Sequence, residues 1–568
     1  MASTPTAPPS PVSIPSPSTP AILRARLSGL GLLVGTVFFA ISLTPSLLPR
    51  PYLVQGVLSG VSFAAGYGIG VLLLWLWHYL ELPTAKGRLE KGLKTGFGVL
   101  CLLFFASFLW QAAAWQNSIR ELMGIDETVG ARPAVVAPTA ALVFLVLLLA
   151  ARLFRRTFRF LSERLRRDIP PRVSYLVGIT ISVMLFWSVV DGVLVSFVLR
   201  TSDRSFQQLD ALIDADLPRP TRPYQTGSET SLLAWEGLGR QGRAFVAGGP
   251  DAEALTRFFG SPAPAPLRVY AGLNSAETPE ERARLALEEL KRVGGFERSI
   301  LLLVTPTGTG WVDPASQDVV EYLHRGDIAT VAAQYSYLSS PLALLTEGAY
   351  GAETARALFV AVYDHWRTLP PESRPRLFLN GLSLGALNSD LSFDLFDIID
   401  DPFDGVLWVG PPFRTETWRR ITAQRDPDSP AWLPRFGGGT VVRTMNQDGG
   451  LDAAPLPWGT FRIAFLQYAS DPIVFFDPNA AWREPDWMQA PRGPDVSPDL
   501  RWFPVVTMLQ LATDMMLGTA PTGFGHEYAP RDYLEAWLAL TEPEGWSPAE
   551  LERLMRVVEE AREHEAAR

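Results

Sequence analysis

The chain has 568 residues, 47% hydrophobic and 19% charged, with a formal net charge of −9 and a single cysteine, Cys101. That length and apolar content allow more than one domain and a sizeable core. One cysteine excludes an internal disulfide and a thiolate metal site, and acidity without a basic, aromatic-interleaved stripe excludes a nucleic-acid binder.

Residues 1–21 are rich in Pro, Ser, Thr and Ala and are expected to be a disordered tail. No small-residue cleavage pattern closes the first apolar run, so no cleavable signal peptide is expected. From there to residue 200 the chain changes character. Residues 1–200 hold 18 Lys and Arg against 8 Asp and Glu, whereas residues 201–568 hold 32 against 51. The basic part carries five apolar runs, near 27–47, 53–80, 95–115, 134–151 and 173–199. Each approaches or exceeds the roughly 18–20 residues that cross a bilayer core, so region 22–200 is expected to be a bundle of about five transmembrane helices. Gly56 and Gly60, and Gly66 and Gly70, have the four-residue spacing of closely packed membrane helices. Asp191 within the fifth run reads as a helix–helix hydrogen-bonding group, and His78 beside Trp75 and Trp77 as an interfacial belt residue.

Charge orients the bundle. Lys86, Arg88, Lys91 and Lys94 separate runs two and three; Arg152, Arg155, Arg156, Arg159, Arg164, Arg166, Arg167 and Arg172 separate runs four and five. The other connections hold Arg50, and Arg120 and Arg132 offset by Glu121, Asp126 and Glu127. The positive-inside rule then makes the N-terminus cytoplasmic and, after five spans, residues 201–568 extracytoplasmic.

Region 201–260 reads as a linker and the start of an outer domain. Between 261 and 545 strand-like and helical patterns alternate. Strands are expected at 266–271, 299–304, 328–335, 377–379, 405–409 and 461–468, with helices at 279–293, 313–324 and 352–369 between them. This alternation indicates a mostly parallel sheet covered by helices. Segment 415–457, rich in Gly, Pro, Trp and Arg, reads as an inserted cap, and 501–518 as an apolar helical run. No clear strand precedes His526, which leaves the last strand earlier, irregular or absent. Residues 546–568 form a charged C-terminal helix.

Within this pattern Gly381-Leu382-Ser383-Leu384-Gly385 follows an apolar run and precedes helix formers. A G-x-S-x-G in that context is a nucleophile elbow, a sharp strand-to-helix turn that exposes a serine hydroxyl. In α/β-hydrolases the acid and then the histidine follow the serine in the chain. Of five histidines (His78, His324, His365, His526 and His564), only the last two come after Ser383. His564 lies in the charged C-terminal helix; His526 sits in the glycine-flanked Pro521–Tyr528 loop and is the candidate base. Asp471 follows the 461–468 strand, 88 residues after Ser383 and 55 before His526. It is the candidate acid, with Asp477 as fallback, and both also fit a turn-capping aspartate beside proline. For the oxyanion, the donors expected are the backbone of Leu384 and of the Thr307, Gly308 and Thr309 loop after the 299–304 strand. A phosphate-binding reading of that loop fails for want of a G-x-x-x-x-G-K-[ST]. No His, Asp and Glu cluster has metal-ligand spacing, so no cofactor or metal is expected.

With the elbow at Ser383 in place, the segments Ser42–Arg50, Thr307–Trp311, Gln334–Leu338 and Gly525–Tyr528 resemble those of a family of bacterial membrane proteins. Its members join an N-terminal multi-span region to a C-terminal α/β-hydrolase domain. The resemblance runs from about residue 25 to 540 and implies a serine-hydrolase domain at a bacterial cell membrane; it implies no particular substrate. The expected function is therefore an ester hydrolase acting on lipid or cell-envelope acyl esters at the outer membrane face. Ser383 would be the nucleophile, His526 the base and Asp471 the orienting acid. An acyltransferase sharing the acyl-enzyme, or a transport or scaffold protein with a ligand-binding outer domain, are the alternatives.

Overall fold

The computed structural model describes residues 27–83, 87–128, 130, 132–166, 169–188, 210, 217–337 and 348–566. Its N-terminal part holds helices α1 (Gly29–Ile41), α2 (Tyr52–Tyr79), α3 (Gly87–Leu122), α4 (Pro133–Leu165) and α5 (Pro171–Trp187). Glycine spacing explains how α2 packs. A Cβ on Gly70 would lie 2.7 Å from the Gly31 Cα, and one on Gly66 2.7 Å from the Val34 carbonyl, both on α1. On the other side, Gly56 meets Thr139 and Gly60 the Ala140 carbonyl, both on α4. Each small-residue pair thus admits a different neighbour at backbone contact.

Three of these helices, α2, α3 and α4, are long and apolar enough to cross a membrane, which indicates membrane association. Their outer faces expose Leu72, Trp75, Leu102, Leu103, Trp110 and Leu142, surface that water would not tolerate on this scale. At the expected first span lies a shorter helix. Helix α1 has 13 residues and ends at Ile41, because Pro45 and Pro49 cannot continue a helix. At about 1.5 Å per residue it is shorter than the ~30 Å hydrocarbon core. Residues 42–50 instead form a buried, irregular turn. For the expected fifth span, 17 helical residues are described, and Asp191 lies outside the described residues.

The C-terminal part is a seven-stranded, fully parallel sheet flanked by helices, an α/β-hydrolase architecture. The strands are β1 (Leu267–Ala271), β2 (Ile300–Thr305), β3 (Ile328–Ala333), β4 (Arg376–Leu382), β5 (Gly405–Val409), β6 (Val442–Met445) and β7 (Arg462–Leu466), in the order β1-β3-β2-β4-β5-β7-β6. Strands β2, β3 and β5 are buried along their whole length, as a sheet covered on both faces requires. Helices Pro279–Arg292 and Gly348–Thr368 pack together, as do Pro314–Leu323 and Pro530–Thr541. The first of these starts at a capping box between Thr278 and Glu281.

The missing last strand is found inside the segment expected to be a cap. Strand β6 comes from 415–457 and pairs in parallel with β7 at the sheet edge, Val442 opposite Ile463 and Met445 opposite Leu466. It precedes β7 in the chain, so the histidine loop follows no strand of its own. The 501–518 run is the helix Val506–Leu517.

The two parts touch. The N–H groups of Leu47 and Leu48 donate to Asp514 Oδ2 at 3.0 and 3.3 Å, and Gln510 Nε2 donates to the Thr44 carbonyl at 3.0 Å. The Ser118 and Ser497 hydroxyls are 2.7 Å apart. These contacts lie at the α1–α2 turn and the C-terminal end of α3. The basic residues of the α2–α3 and α4–α5 connections lie at the opposite ends of those helices.

Candidate active site

Strand β4 ends at Leu382, and Ser383 turns the chain into the helix Leu384–Asp390 with φ 57° and ψ −125°. A non-glycine residue at positive φ is strained, and the surroundings hold this one in place. Its N–H donates to the Val409 carbonyl at 2.9 Å. The two glycines permit the turn sterically. A Cβ on Gly381 would fall 2.4 Å from the Gly385 carbonyl carbon, and one on Gly385 would fall 2.2 Å from the Thr305 carbonyl oxygen. Gly385 therefore also seats the elbow against the end of β2.

Asp471 follows β7 and is fully buried. Its Oδ1 accepts from the Ile473 N–H at 2.8 Å, the turn-capping bond expected of an aspartate before proline. Its Oδ2 accepts from His526 Nδ1 at 2.7 Å and from the Tyr528 hydroxyl at 2.6 Å. Asp477 has only the first role: it caps a short turn through the Asn479 N–H at 2.8 Å. The aspartate and histidine loops are tied once more, by the Gly525 N–H donating to Ser470 Oγ at 2.8 Å.

The His526 ring lies over Gly410, the residue after β5, where a Cβ would come within 2.5 Å of its Cε1. Val409 and Gly410 thus link the two sides: Ser383 bonds to one and His526 covers the other. All three candidate residues collect at the C-terminal ends of the adjacent strands β4, β5 and β7. The His526 Nε2 is buried and bonds to no group among the described residues. Burial pulls the imidazole pKa down, but the charge and hydrogen bond of Asp471 outweigh it and hold the value above 6.5. Burial and Asp471 push the Tyr528 phenol well above its ordinary value, so it stays a donor.

The expected oxyanion groups divide. Leu384 is the first residue of its helix, so its N–H has no carbonyl four residues back to meet. The Thr307 N–H is already committed to the Trp311 carbonyl at 2.9 Å. Gly308 and Thr309 sit within that tight turn and their N–H groups form no hydrogen bond among the described residues. The remaining histidines lie elsewhere: His78 is exposed on α2, His365 packs edge-on to Phe296, half-buried His324 is pulled down to about 4 by loss of water around the ring, and His564 belongs to the helix Pro548–Ala566. Sequence gives no chemical role to Tyr528, Ser470 or Gly410; Tyr528 is marked there only as the end of the Gly525–Tyr528 segment, two residues from His526.

Comparison with known families matches residues 267–554 to the alpha/beta-hydrolase family and residues 43–250 to the N-terminal region of an alpha/beta-hydrolase family. The chain belongs to the alpha/beta-hydrolase family. Membership of the alpha/beta-hydrolase family supports hydrolase activity and leaves the bond cleaved open. No curated protein matches the chain. A solved structure described under two metagenome-derived lipolytic enzymes, LipS and LipT, is similar over 25% of this chain and 53% of its own, at 22% identity and a TM-score of 0.15. The match thus spans about half of that structure's chain, and so low a score carries no argument.

Proposed function

We propose that this family member is a membrane-bound serine hydrolase that cleaves acyl esters of lipids or the cell envelope at the extracytoplasmic face. The observation that carries this reading is the hydrogen bond from His526 Nδ1 to a fully buried Asp471, with Ser383 held at an elbow at the end of β4, across β5 from the aspartate's strand. The bond fixes the tautomer. With its proton on Nδ1, the ring presents a bare Nε2 that can take the Ser383 proton during attack on the acyl carbonyl. His526 then returns the proton to the departing alcohol, and water, activated by the same ring, releases the acid from Ser383. The Leu384 N–H stabilises the oxyanion, with Gly308 or Thr309 as second donor; Thr307 is excluded by its bond to Trp311.

Charge supports the orientation. The catalytic part contacts the ends of α2 and α3 that lie away from the Lys- and Arg-rich connections, which the positive-inside rule assigns to the cytoplasm. Membrane proximity favours esters presented in a bilayer. Labelling by a fluorophosphonate tests the nucleophile: the natural chain should react, and Ser383→Ala should lose the label together with about 10³-fold or more of its ester turnover. An ester embedded in a nanodisc should turn over faster than the same ester in solution. Full turnover by Ser383→Ala sinks the mechanism; equal rates in the two settings sink only the membrane-lipid substrate.

A further inference from the structure

A cavity of about 610 Å³ lies where the two parts meet. Its walls come from the α1–α2 turn, α2, α3, the α3–α4 connection and residues 519–521. Leu43, Ala112, Ala113, Ile125, Ala520 and Pro521 make much of it apolar. The charged groups in the wall are both cationic, Arg50 and Arg120.

Arg50 is the unusual one, only 5% exposed. Its Nη2 donates to the Thr44 carbonyl at 2.8 Å, and its Nε and Nη1 are buried without a partner among the described residues. Gln116 accepts the Arg50 backbone N–H through Oε1 at 3.1 Å, which leaves its Nε2 buried and unpartnered as well. Asp514 acts on Arg50 through space without bonding to it: two backbone N–H groups, of Leu47 and Leu48, hold its Oδ2, and its Oδ1 is buried without a partner among the described residues. Arg120 spends Nε on the Asp126 carbonyl at 2.7 Å. Three buried donors, two of them on a cation, therefore remain unmatched beside an apolar wall. Buried donors on a charged group are costly to leave unpaired. A ligand that satisfies them must bring acceptor oxygens and negative charge, and one that fills the remaining wall must bring hydrocarbon.

We propose that this cavity binds an anionic lipid, with a phosphate-type headgroup on Arg50 and Gln116 and an acyl chain along α2 and α3. The site is separate from the elbow but adjoins the histidine loop: Ala520 lies beneath Gly525, whose Cβ would come 2.8 Å from it, and the next residue is His526. The proposal rests on the membrane reading of α2 and α3 and does not depend on the triad.

The full-length chain, purified in neutral detergent, is titrated with phosphatidylglycerol, with diacylglycerol of the same chains, and with inorganic phosphate. Native mass spectrometry and the thermal unfolding midpoint are followed. Phosphatidylglycerol should bind saturably and raise the midpoint, at least tenfold more tightly than either partial ligand. Arg50→Gln and Gln116→Leu should each weaken it toward the diacylglycerol level, and Ala113→Trp should block it by filling the cavity. Circular dichroism of each variant reports that the fold survives; because Arg50 also holds Thr44, Gln116→Leu serves if Arg50→Gln misfolds. Equal affinity for phosphatidylglycerol and diacylglycerol, or undiminished binding in Ala113→Trp, overturns the site. Inorganic phosphate binding as tightly as the lipid overturns the lipid assignment in favour of a free oxyanion.

Discussion

Asp471→Asn is the substitution that tests the site most directly. Asp471 receives three donors: the Ile473 N–H on Oδ1, and His526 Nδ1 and the Tyr528 hydroxyl on Oδ2. An asparagine of the same shape keeps one acceptor oxygen. If that oxygen stays with Ile473, the amide NH₂ faces two donors, and His526 must move its proton to Nε2 to accept from it. That tautomer presents a proton to the serine where a lone pair is needed. The expected loss in kcat is roughly 10³- to 10⁴-fold, as for the wrong tautomer in other serine triads. At about 1.4 kcal/mol per decade this corresponds to about 4–6 kcal/mol of transition-state stabilisation.

The pH dependence gives a second readout. His526 acts as a base only when neutral, so activity falls as pH drops through its pKa. Asp471 holds that pKa above 6.5 against the opposing pull of burial, so the acid limb of kcat/KM in the natural chain should lie above the ordinary imidazole value. Without the carboxylate, burial is opposed only by the charge of Glu527, and the limb should move down. The stability sign is opposite: a raised histidine pKa stabilises the fold below 6.5, and that contribution fades as pH rises through the folded-state value. The unfolding midpoint of Asp471→Asn should therefore approach the natural one as pH rises. The assay is hydrolysis of a soluble acyl ester across a pH series, with circular dichroism as the folding control. A well-folded Asp471→Asn within about tenfold of natural kcat, with an unmoved acid limb, would refute this role for Asp471.

Two further outcomes follow from the geometry. Gly385→Ala places a methyl 2.2 Å from the Thr305 carbonyl oxygen, backbone that cannot step aside; it should cost about 1–3 kcal/mol and displace the elbow, measured by urea unfolding and by the rate of phosphonate labelling. A reporter active only outside the cytoplasm should be active when fused after Arg568 and silent near Arg164, and the reverse pattern would put the catalytic part in the cytosol.

What could be read from the sequence tracks how local each cause is. Six strands announce themselves as short apolar runs because β-sheet burial acts residue by residue along them. Strand β6 does not: it has four residues, includes Arg443, and follows Gly437, Gly438 and Gly439, so its strand character comes from pairing with β7. The elbow is legible because its two glycines answer to backbone collisions inside five residues. Asp471 and Asp477 look alike in sequence, each an aspartate before proline that caps a turn. Asp471 sits nearer its strand end, but the deciding difference lies 55 residues away, in the bond to His526. The first apolar run differs for a related reason: hydropathy extends to Leu47, but the helix ends at Ile41, ahead of Pro45 and Pro49.

That turn also bears on why a hydrolase domain should carry several long apolar helices. Leu48 packs where side chains at Gly518 and Gly525 would be, with its Cδ atoms 2.5 and 3.0 Å from their Cβ positions. Those glycines bracket the loop leading to His526. Asp514 and Gln510, on the helix before the loop, bond to residues 44, 47 and 48 of the same turn. The turn in turn is fixed by α1 and α2, whose glycines bring their backbones into contact, and α2 is fixed by α4 through Gly56 and Gly60. Each link is close-packed, so a shift of the bundle is carried to the segment before His526 instead of being absorbed. On this reading the helices form one wall of the histidine loop's environment, and a catalytic part cut away from them would expose Leu48's partners and lose the restraint on that loop.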